Sequence, residues 1–165
     1  METTYINEVQ SFQWYFMLVP GMIALLFGVM WFFQVFLHKR IGNRNAPDWL
    51  LLVIFILTAA FAVGFSLQKL KTSITNRAIY TSFGVFASKQ AIPLTNIKSI
   101  AIRKYDGMNE FSGWGVRGNA NEQCFTVSGS EGIEIELKSG GKKILIGTQK
   151  ADGMQAVIER YLNVH

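Results

Sequence analysis

Residues 14–37 read WYFMLVPGMIALLFGVMWFFQVFL and contain no charged side chain. At about 1.5 Å per residue, a helix of this length crosses a hydrocarbon core of roughly 30 Å. Residues 49–67 form a second uncharged stretch, and the segment between the two contains the turn formers Gly42, Asn43, Asn45 and Pro47. We therefore predict a tail over residues 1–13 and an antiparallel transmembrane hairpin over 14–67, with helices at 14–37 and 49–67.

Charge divides the chain at the end of this hairpin. The net charge is +5, yet up to residue 67 the three bases Lys39, Arg40 and Arg44 balance three acids. The positive excess therefore lies in residues 68–165. Acidic residues interrupt the bases there, and no basic block precedes an aromatic platform of the kind that binds nucleic acid. A basic domain beside a membrane instead predicts anionic lipid head groups as partners and no nucleic acid.

Beyond residue 67, short alternating runs are separated by turn residues, a pattern typical of an all-β domain. Ile133 and Ile135 alternate with Glu134 and Glu136, which predicts a half-buried strand. We predict seven strands, at residues 69–75, 78–83, 85–92, 97–105, 123–128, 133–138 and 142–147. The apolar residues Met154, Val157, Ile158, Tyr161 and Leu162 share one helical face and predict a carboxyl-terminal helix. This order predicts a pleckstrin-homology-like (PH-like) half-open barrel of seven strands over residues 68–165, capped by that helix.

Three segments carry a resemblance to a known group of proteins. They are EFSGWGVRG at residues 110–118, FTVSGSEGIEIEL at 125–137 and KKILIGTQK at 142–150. In this order they resemble bacterial membrane proteins that have two transmembrane helices and a PH-like domain. The resemblance implies a fold and a topology but no reaction. It also implies the bacterial cytoplasmic membrane, with the soluble domain in the cytoplasm. The basic residues beside the two helices are evenly divided between the two sides of the membrane, so the orientation rests on this resemblance.

Catalytic machinery is not visible in the sequence. Cys124 is the single cysteine, and the two histidines, His38 and His165, lie at a predicted helix end and at the last residue. Asp106 and Glu110 are four residues apart in a predicted loop, where solvated carboxylates are the favoured interpretation. We expect no cofactor and no metal site. Alternation predicts that the Cys124 thiol lies on the polar face of its strand, where a reagent reaches it.

Two groups of residues are candidates for binding. The glycine-rich loop after the fourth predicted strand carries Phe111, Trp114 and Arg117. The structural interpretation is that the two aromatic rings cover one mouth of the barrel, and the functional one is a ligand or protein groove in which Arg117 contacts an anion or a carboxylate. A second, basic group close to the membrane comprises Lys69, Lys71, Arg77 and Lys89.

These features favour a non-enzymatic membrane protein whose PH-like domain binds a protein, a peptide or a second copy of the chain. One alternative is a module that senses anionic lipid or envelope stress. Another is an auxiliary subunit of a transport or secretion complex, with the helical hairpin as its interface.

Overall fold

The computed structural model describes residues 2–38, 47–84, 87–119 and 121–162. Its contacts divide the chain into a helical unit, Gln13–Leu67, and a β-rich unit formed by the residues up to Phe12 together with those from Gln68 onward. The amino-terminal segment therefore belongs to the same unit as the β domain, from which the helical hairpin separates it along the chain.

The helical unit consists of α1 (Leu18–Phe36), entered through a 3₁₀ turn at Trp14–Met17, and α2 (Asp48–Ser66). Both helices are long and apolar enough to cross a membrane, as the sequence predicts. A Cβ on Gly28 would lie 3.0 Å from the Phe55 ring, and Gln34 Nε2 donates to Asp48 Oδ1. Later positions of α1 thus meet earlier positions of α2, which makes the pair antiparallel. The predicted turn residues Gly42, Asn43 and Asn45, with the bases Lys39, Arg40 and Arg44, lie outside the described residues.

The β-rich unit has nine described strands where seven are predicted. Their bounds are β1 (Thr4–Ser11), β2 (Lys69–Thr75), β3 (Ala78–Phe83), β4 (Ala87–Pro93), β5 (Ile97–Lys104), β6 (Gly115–Gly118), β7 (Glu122–Thr126), β8 (Glu131–Leu137) and β9 (Lys143–Gly147). Seven of them match the predicted strands to within a few residues, although Val85 and Phe86 of the third lie outside the described part. Strands β1 and β6 are new, and the predicted loop also contains a short helix, α3 (Gly107–Phe111).

The strands form two open sheets. The first is an antiparallel meander in the order β1-β2-β3-β4, and the second has the order β5-β8-β9-β7-β6. Within the second sheet, β7 and β9 are parallel and the other neighbours are antiparallel. The arrangement is thus two sheets of four and five strands rather than one seven-stranded half-open barrel.

The main core collects the inward-facing apolar residues of both sheets. It includes Leu70, Ile79, Phe83, Phe125, Ile133 and Ile146. Helix α4 (Ala151–Val157) continues as a π-helical turn through Ile158–Leu162, and it adds Met154 and Leu162 to this core. The predicted carboxyl-terminal helix is therefore present. Met154 and Leu162 of its apolar stripe are buried, Val157 and Ile158 are half-buried, and Tyr161 is 47% exposed.

Strand β1 lies within residues 1–13, where a tail is predicted. Its alternation of polar and apolar residues is the reverse of the usual one, because polar side chains face the core. Glu8 and Gln10 are buried while Val9 is 54% exposed. Thr148 Oγ1 donates to Glu8 Oε2 at 2.7 Å, and Gln10 Nε2 donates to the carbonyl of Gly147 at 2.7 Å. The backbone of β1 pairs with β2 in the first sheet, so this one strand hydrogen-bonds to both sheets.

Candidate functional site

Helix α3 lies on the outer face of the second sheet and is held by two carboxylates. Asp106 caps it by accepting from the backbone N–H groups of Met108 at 2.9 Å and Asn109 at 3.1 Å. Glu110 accepts from the backbone N–H of Asp106 at 2.8 Å and from Arg103 Nη1 at 2.8 Å. Hydrogen bonds from backbone N–H groups lower the pKa of both carboxyl groups. The two acids therefore hold this turn, and are not merely solvated as the sequence suggests.

Arg103 connects α3 to the sheet beneath it. Its Nε donates to Glu134 Oε2 at 2.5 Å, in addition to its contact with Glu110. Glu134 belongs to β8 and lies opposite Ala101 of β5. The pKa of the Arg103 guanidinium is raised even though partial burial acts to lower it, because two carboxylates accept its hydrogen bonds. This network fixes the start of the segment that carries the predicted binding residues.

Phe111 packs against the cluster on the outer face of the second sheet, and Trp114 lies against Gly107 of α3. The ring of Phe111 meets that of Tyr105 edge-on, with centroids 6.4 Å apart. A Cβ on Gly107 would lie 3.2 Å from Trp114 Nε1 and 3.6 Å from the Tyr105 ring. The absence of a side chain at Gly107 thus leaves room for the Trp114 and Tyr105 rings beside α3. Phe111 and Trp114 are both half-buried, and their role in binding stays a prediction.

Cys124 is buried, contrary to the exposed position that alternation predicts. It forms a small cluster with Tyr105 and Leu145, against which Phe111 packs. Its side chain does point to the outer face of the sheet, as expected, but α3 and its flanking segment cover that face. Burial raises the pKa of the Cys124 thiol to about 11, and burial likewise raises the pKa of Tyr105 to about 12. The thiol is therefore protonated at neutral pH and inaccessible to reagents.

Arg117 is exposed and lies on a polar concavity of about 410 Å³. Its lining residues are Val116, Arg117, Gly118, Asn119, Gln123 and Lys142, and we call this feature the Arg117 concavity. Lys142 Nζ donates to the neutral Gln123 Oε1 at 3.2 Å. Across the described ranges, neither Arg117 nor Lys142 forms an ion pair with a carboxylate. Arg117 and Lys142 thus both line one open, polar concavity, although Arg117 lies opposite Cys124 on the outer face of the ladder and Lys142 contacts Gln123, which alternates to the other face.

Three of the four predicted membrane-surface bases share the outer face of the first sheet. Leu70 and Thr72 point inward from β2, so Lys69 and Lys71 point outward and are exposed. Lys71 lies opposite Ser82 of β3, and Lys89 Nζ lies 4.0 Å above the ring of Tyr80 on the same face. We call Lys69, Lys71 and Lys89 the basic face.

Arg77 lies apart from the basic face, at the opposite end of the β2–β3 hairpin. It lies in the tight turn between these strands, where its backbone N–H donates to Thr75 Oγ1 at 3.3 Å. The nearby carboxyl group is Glu2, whose pKa is lowered by hydrogen bonds from Tyr80 and Thr75 and then by the charges of Arg77 and Lys89. Glu2 therefore offsets part of the positive charge at this end of the sheet.

Lys142 is the site residue that sequence reasoning missed, since a lysine after a glycine turn looks like a solvated edge charge. It reaches the Arg117 concavity because β9 pairs in parallel with β7, and the Lys143 N–H donates to the Asn121 carbonyl at 3.0 Å. That pairing joins segments about twenty residues apart across the inserted strand β8. No local pattern in the sequence predicts the parallel pairing of β7 with β9.

Comparison with known proteins assigns no family, because the chain matches no protein-family model and no curated protein. Among the described residues, no group of three or more His, Cys, Asp and Glu side chains is placed to hold a metal ion. The inference about function therefore rests on the geometry of the two candidate surfaces.

Proposed function

We propose that this protein is a membrane-anchored, non-enzymatic binding module whose Arg117 concavity takes an anionic group of a protein or peptide partner. The observation that carries the proposal is that Arg117 and Lys142 both line one polar concavity. In the described part of the chain, no carboxylate neutralises either of them. Charge-assisted hydrogen bonds to a carboxylate or phosphate are stronger than neutral ones, and an arginine fork adds directional preference.

Co-purification of the full-length chain in mild detergent tests this proposal. The double variant Arg117→Gln/Lys142→Gln removes both cations, and Lys98→Gln/Lys104→Gln is a matched control that removes two charges from β5. We expect a discrete partner, or a second copy of the chain, to be recovered with the wild type and the control but lost with the Arg117 variant. Recovery of the monomeric polypeptide alone, or of identical partners with all three proteins, would contradict the proposal.

A second candidate function, sensing of anionic lipid, is favoured by the basic face. Lys69 and Lys71 follow the last residue of α2, Ser66, by three and five positions. Each such base near an anionic leaflet contributes about 1 kcal/mol of attraction, which falls off within a Debye length. The three lysines share one sheet face, so a single surface of lipid head groups can contact all of them.

Amine labelling of the full-length chain in nanodiscs tests the lipid hypothesis. We expect Lys69, Lys71 and Lys89 to react more slowly in nanodiscs containing phosphatidylglycerol than in phosphatidylcholine nanodiscs, with the difference lost at high salt. Lys98 and Lys138, which lie outside the basic face, are the internal controls. Equal labelling rates in both lipids would rule out this role.

The PH-like family, the bacterial cytoplasmic membrane and a cytoplasmic β domain remain part of the proposal. They are supported by the three sequence segments, by the two long apolar helices and by the carboxyl-terminal helix on a mainly-β unit. Because Cys124 is buried, orientation needs a new thiol at an exposed position, such as Ser88→Cys combined with Cys124→Ala. Labelling by an impermeant maleimide only after lysis is expected; labelling of intact cells would place the domain outside.

A further inference from the structure

Strand β6 is an edge of the second sheet. It pairs with β7 on one side, and the strand order β5-β8-β9-β7-β6 places no described strand on the other. An edge strand presents backbone groups that another chain can pair with. The Arg117 concavity is built on this same strand, since Val116, Arg117 and Gly118 all line it.

The ladder between β6 and β7 shows which backbone groups of β6 face outward. Asn119 N–H donates to the Glu122 carbonyl at 2.7 Å, so the pair that closes the hairpin is a hydrogen-bonded one. Hydrogen-bonded and non-bonded pairs alternate along an antiparallel ladder. Arg117, opposite Cys124, is therefore bonded to β7, whereas Val116 and Gly118, opposite Phe125 and Gln123, direct their N–H and C=O groups away from it.

The outward groups of Val116 and Gly118 are available to a ligand. Within the described residues, neither backbone has a hydrogen-bond partner on that side. Gly118 carries no side chain that would keep a second backbone at a distance. Arg117, between the two, projects an exposed guanidinium, and Lys142 adds a second cation on the same concavity. Main-chain donors and acceptors thus alternate with a site for negative charge.

We infer that the ligand of this concavity is an extended acidic segment of a protein, which adds to β6 as a further strand and places a carboxylate against Arg117 or Lys142, the two cations that line the concavity. This inference rests on the proposed function and specifies the partner of the same site. An extended chain fits because it offers both features at once: a row of backbone groups for Val116 and Gly118, and a carboxylate from a side chain or from its carboxyl terminus.

Binding of defined peptides to the full-length chain in phosphatidylcholine nanodiscs tests the inference. The probe is fluorescein-labelled TVEVEVT with an amidated carboxyl terminus, measured by fluorescence anisotropy. A peptide with glutamine in place of glutamate tests charge, and a peptide N-methylated at every internal amide keeps the charge but removes the backbone donors. A glutamine peptide with a free carboxyl terminus distinguishes a terminal carboxylate from a side-chain one.

We expect the acidic peptide to bind, and removal of either its charge or its amide N–H groups to weaken binding about tenfold or more, the effect of losing a charge-assisted contact or a pair of hydrogen bonds. The Arg117→Gln/Lys142→Gln protein should show the same loss with the acidic peptide, and Lys98→Gln/Lys104→Gln should bind as the wild type does. Val116→Pro, which removes an outward N–H, should weaken binding without altering the bonded side of β6. If this variant fails to fold, the N-methylated peptide addresses the same groups.

Two results would overturn the inference, and they differ from a failure of the proposed function. Equal binding of the N-methylated and unmethylated acidic peptides, with charge dependence intact, would refute strand addition while leaving an anion-binding concavity. No saturable binding of any carboxylate-bearing peptide would also refute it, and the co-purification experiment would then decide separately whether the concavity binds a partner. Loss of charge dependence in both experiments would overturn the proposed function itself.

Discussion

Replacing Gly118 with alanine should open the β6–β7 hairpin. A Cβ at this position would lie 2.2 Å from the carbonyl oxygen of Glu122 and 2.8 Å from the Cα of Gln123, and φ of Gly118 is +142°. Both contacts are with backbone atoms, so a change of side-chain rotamer cannot relieve them. Such backbone strain costs about 1–3 kcal/mol, and an overpacked contact that cannot relax costs a further 1–3 kcal/mol or so.

The expected response is local because β6 is a four-residue edge strand. Unpairing it from β7 relieves the clash without disrupting the main core, so the hairpin should open before the domain unfolds. A local cost of about 2 kcal/mol or more lowers the hydrogen-exchange protection of the bonded Arg117 amide by about 30-fold or more. Hydrogen-deuterium exchange with peptide-level mass spectrometry, on the detergent-solubilised full-length chain, measures this directly.

Gly140→Ala is the matched control for Gly118→Ala. Gly140 also has a positive φ, +73°, but nothing lies within 4 Å of the position its Cβ would take. Its replacement therefore costs about 1–2 kcal/mol of left-handed strain without a clash, and it should leave the exchange of the Arg117 amide unchanged. If Gly118→Ala gives no faster exchange at Arg117 than Gly140→Ala does, the close backbone contact in β6 is wrong, and the edge geometry derived from it fails as well.

Four further predictions concern the outer face of the second sheet. Tyr105→Phe should leave stability unchanged or raise it by up to about 1 kcal/mol, since the buried Tyr105 hydroxyl has no hydrogen-bond partner among the described residues; a clear fall in melting temperature would refute this. Because the pKa of Tyr105 is raised from 10.0 to about 12 and that of Cys124 from 9.0 to about 11, the unfolded chain ionises first and stability should fall as pH rises through 9–12. Melting curves should show this fall, and Tyr105→Phe should make it shallower above pH 10 or so, where the Tyr105 side chain of the unfolded chain ionises; an unchanged pH profile would contradict it. Asp106→Ala should accelerate hydrogen exchange of the Met108 and Asn109 amides, and unaltered exchange would argue against the cap. The variant should also lose less stability in acid. The lowered pKa of the Asp106 carboxyl group stabilises the fold above the ordinary carboxyl range, and this contribution is lost as pH falls. Cys124 in the folded chain should resist maleimide at neutral pH and react after denaturation, and equal rates in the two states would show that the thiol is exposed.

The strands that were predicted correctly share a strong local signal. In β8, Ile133 and Ile135 face the core while Glu134 and Glu136 face outward, and alternation identifies both the strand and its faces. Strand β1 was missed because it inverts this signal: its buried residues Glu8 and Gln10 are polar and its exposed Val9 is apolar. The partners that make this burial tolerable, Thr148 and Gly147, lie about 140 positions away and give no local cue.

The candidate site likewise combines residues with a local signal in the sequence and residues without one. Arg117 was identified because a lone cation in a glycine-rich loop is a local feature, and the structure places it on an open concavity. Phe111 and Trp114 look equally available in the sequence, but Phe111 packs on Tyr105 and Trp114 lies against Gly107 of α3. The sequence does not show whether an aromatic residue in a loop is exposed or packed. That difference depends on which face of which sheet the loop covers.

The sequence by itself determined the two apolar helices, the mainly-β character of the second half and the carboxyl-terminal helix. Each of these follows from hydrophobicity and periodicity over neighbouring residues, which fix local conformation and the buried face. Only the tertiary structure decided the division into two sheets, the recruitment of β1, the burial of Cys124 and the placement of Arg117 and Lys142 on one concavity. These features depend on which distant strands pair, and in particular on the parallel contact of β7 with β9. Such pairing is set by the fit of whole surfaces to one another rather than by any residue and its neighbours along the chain.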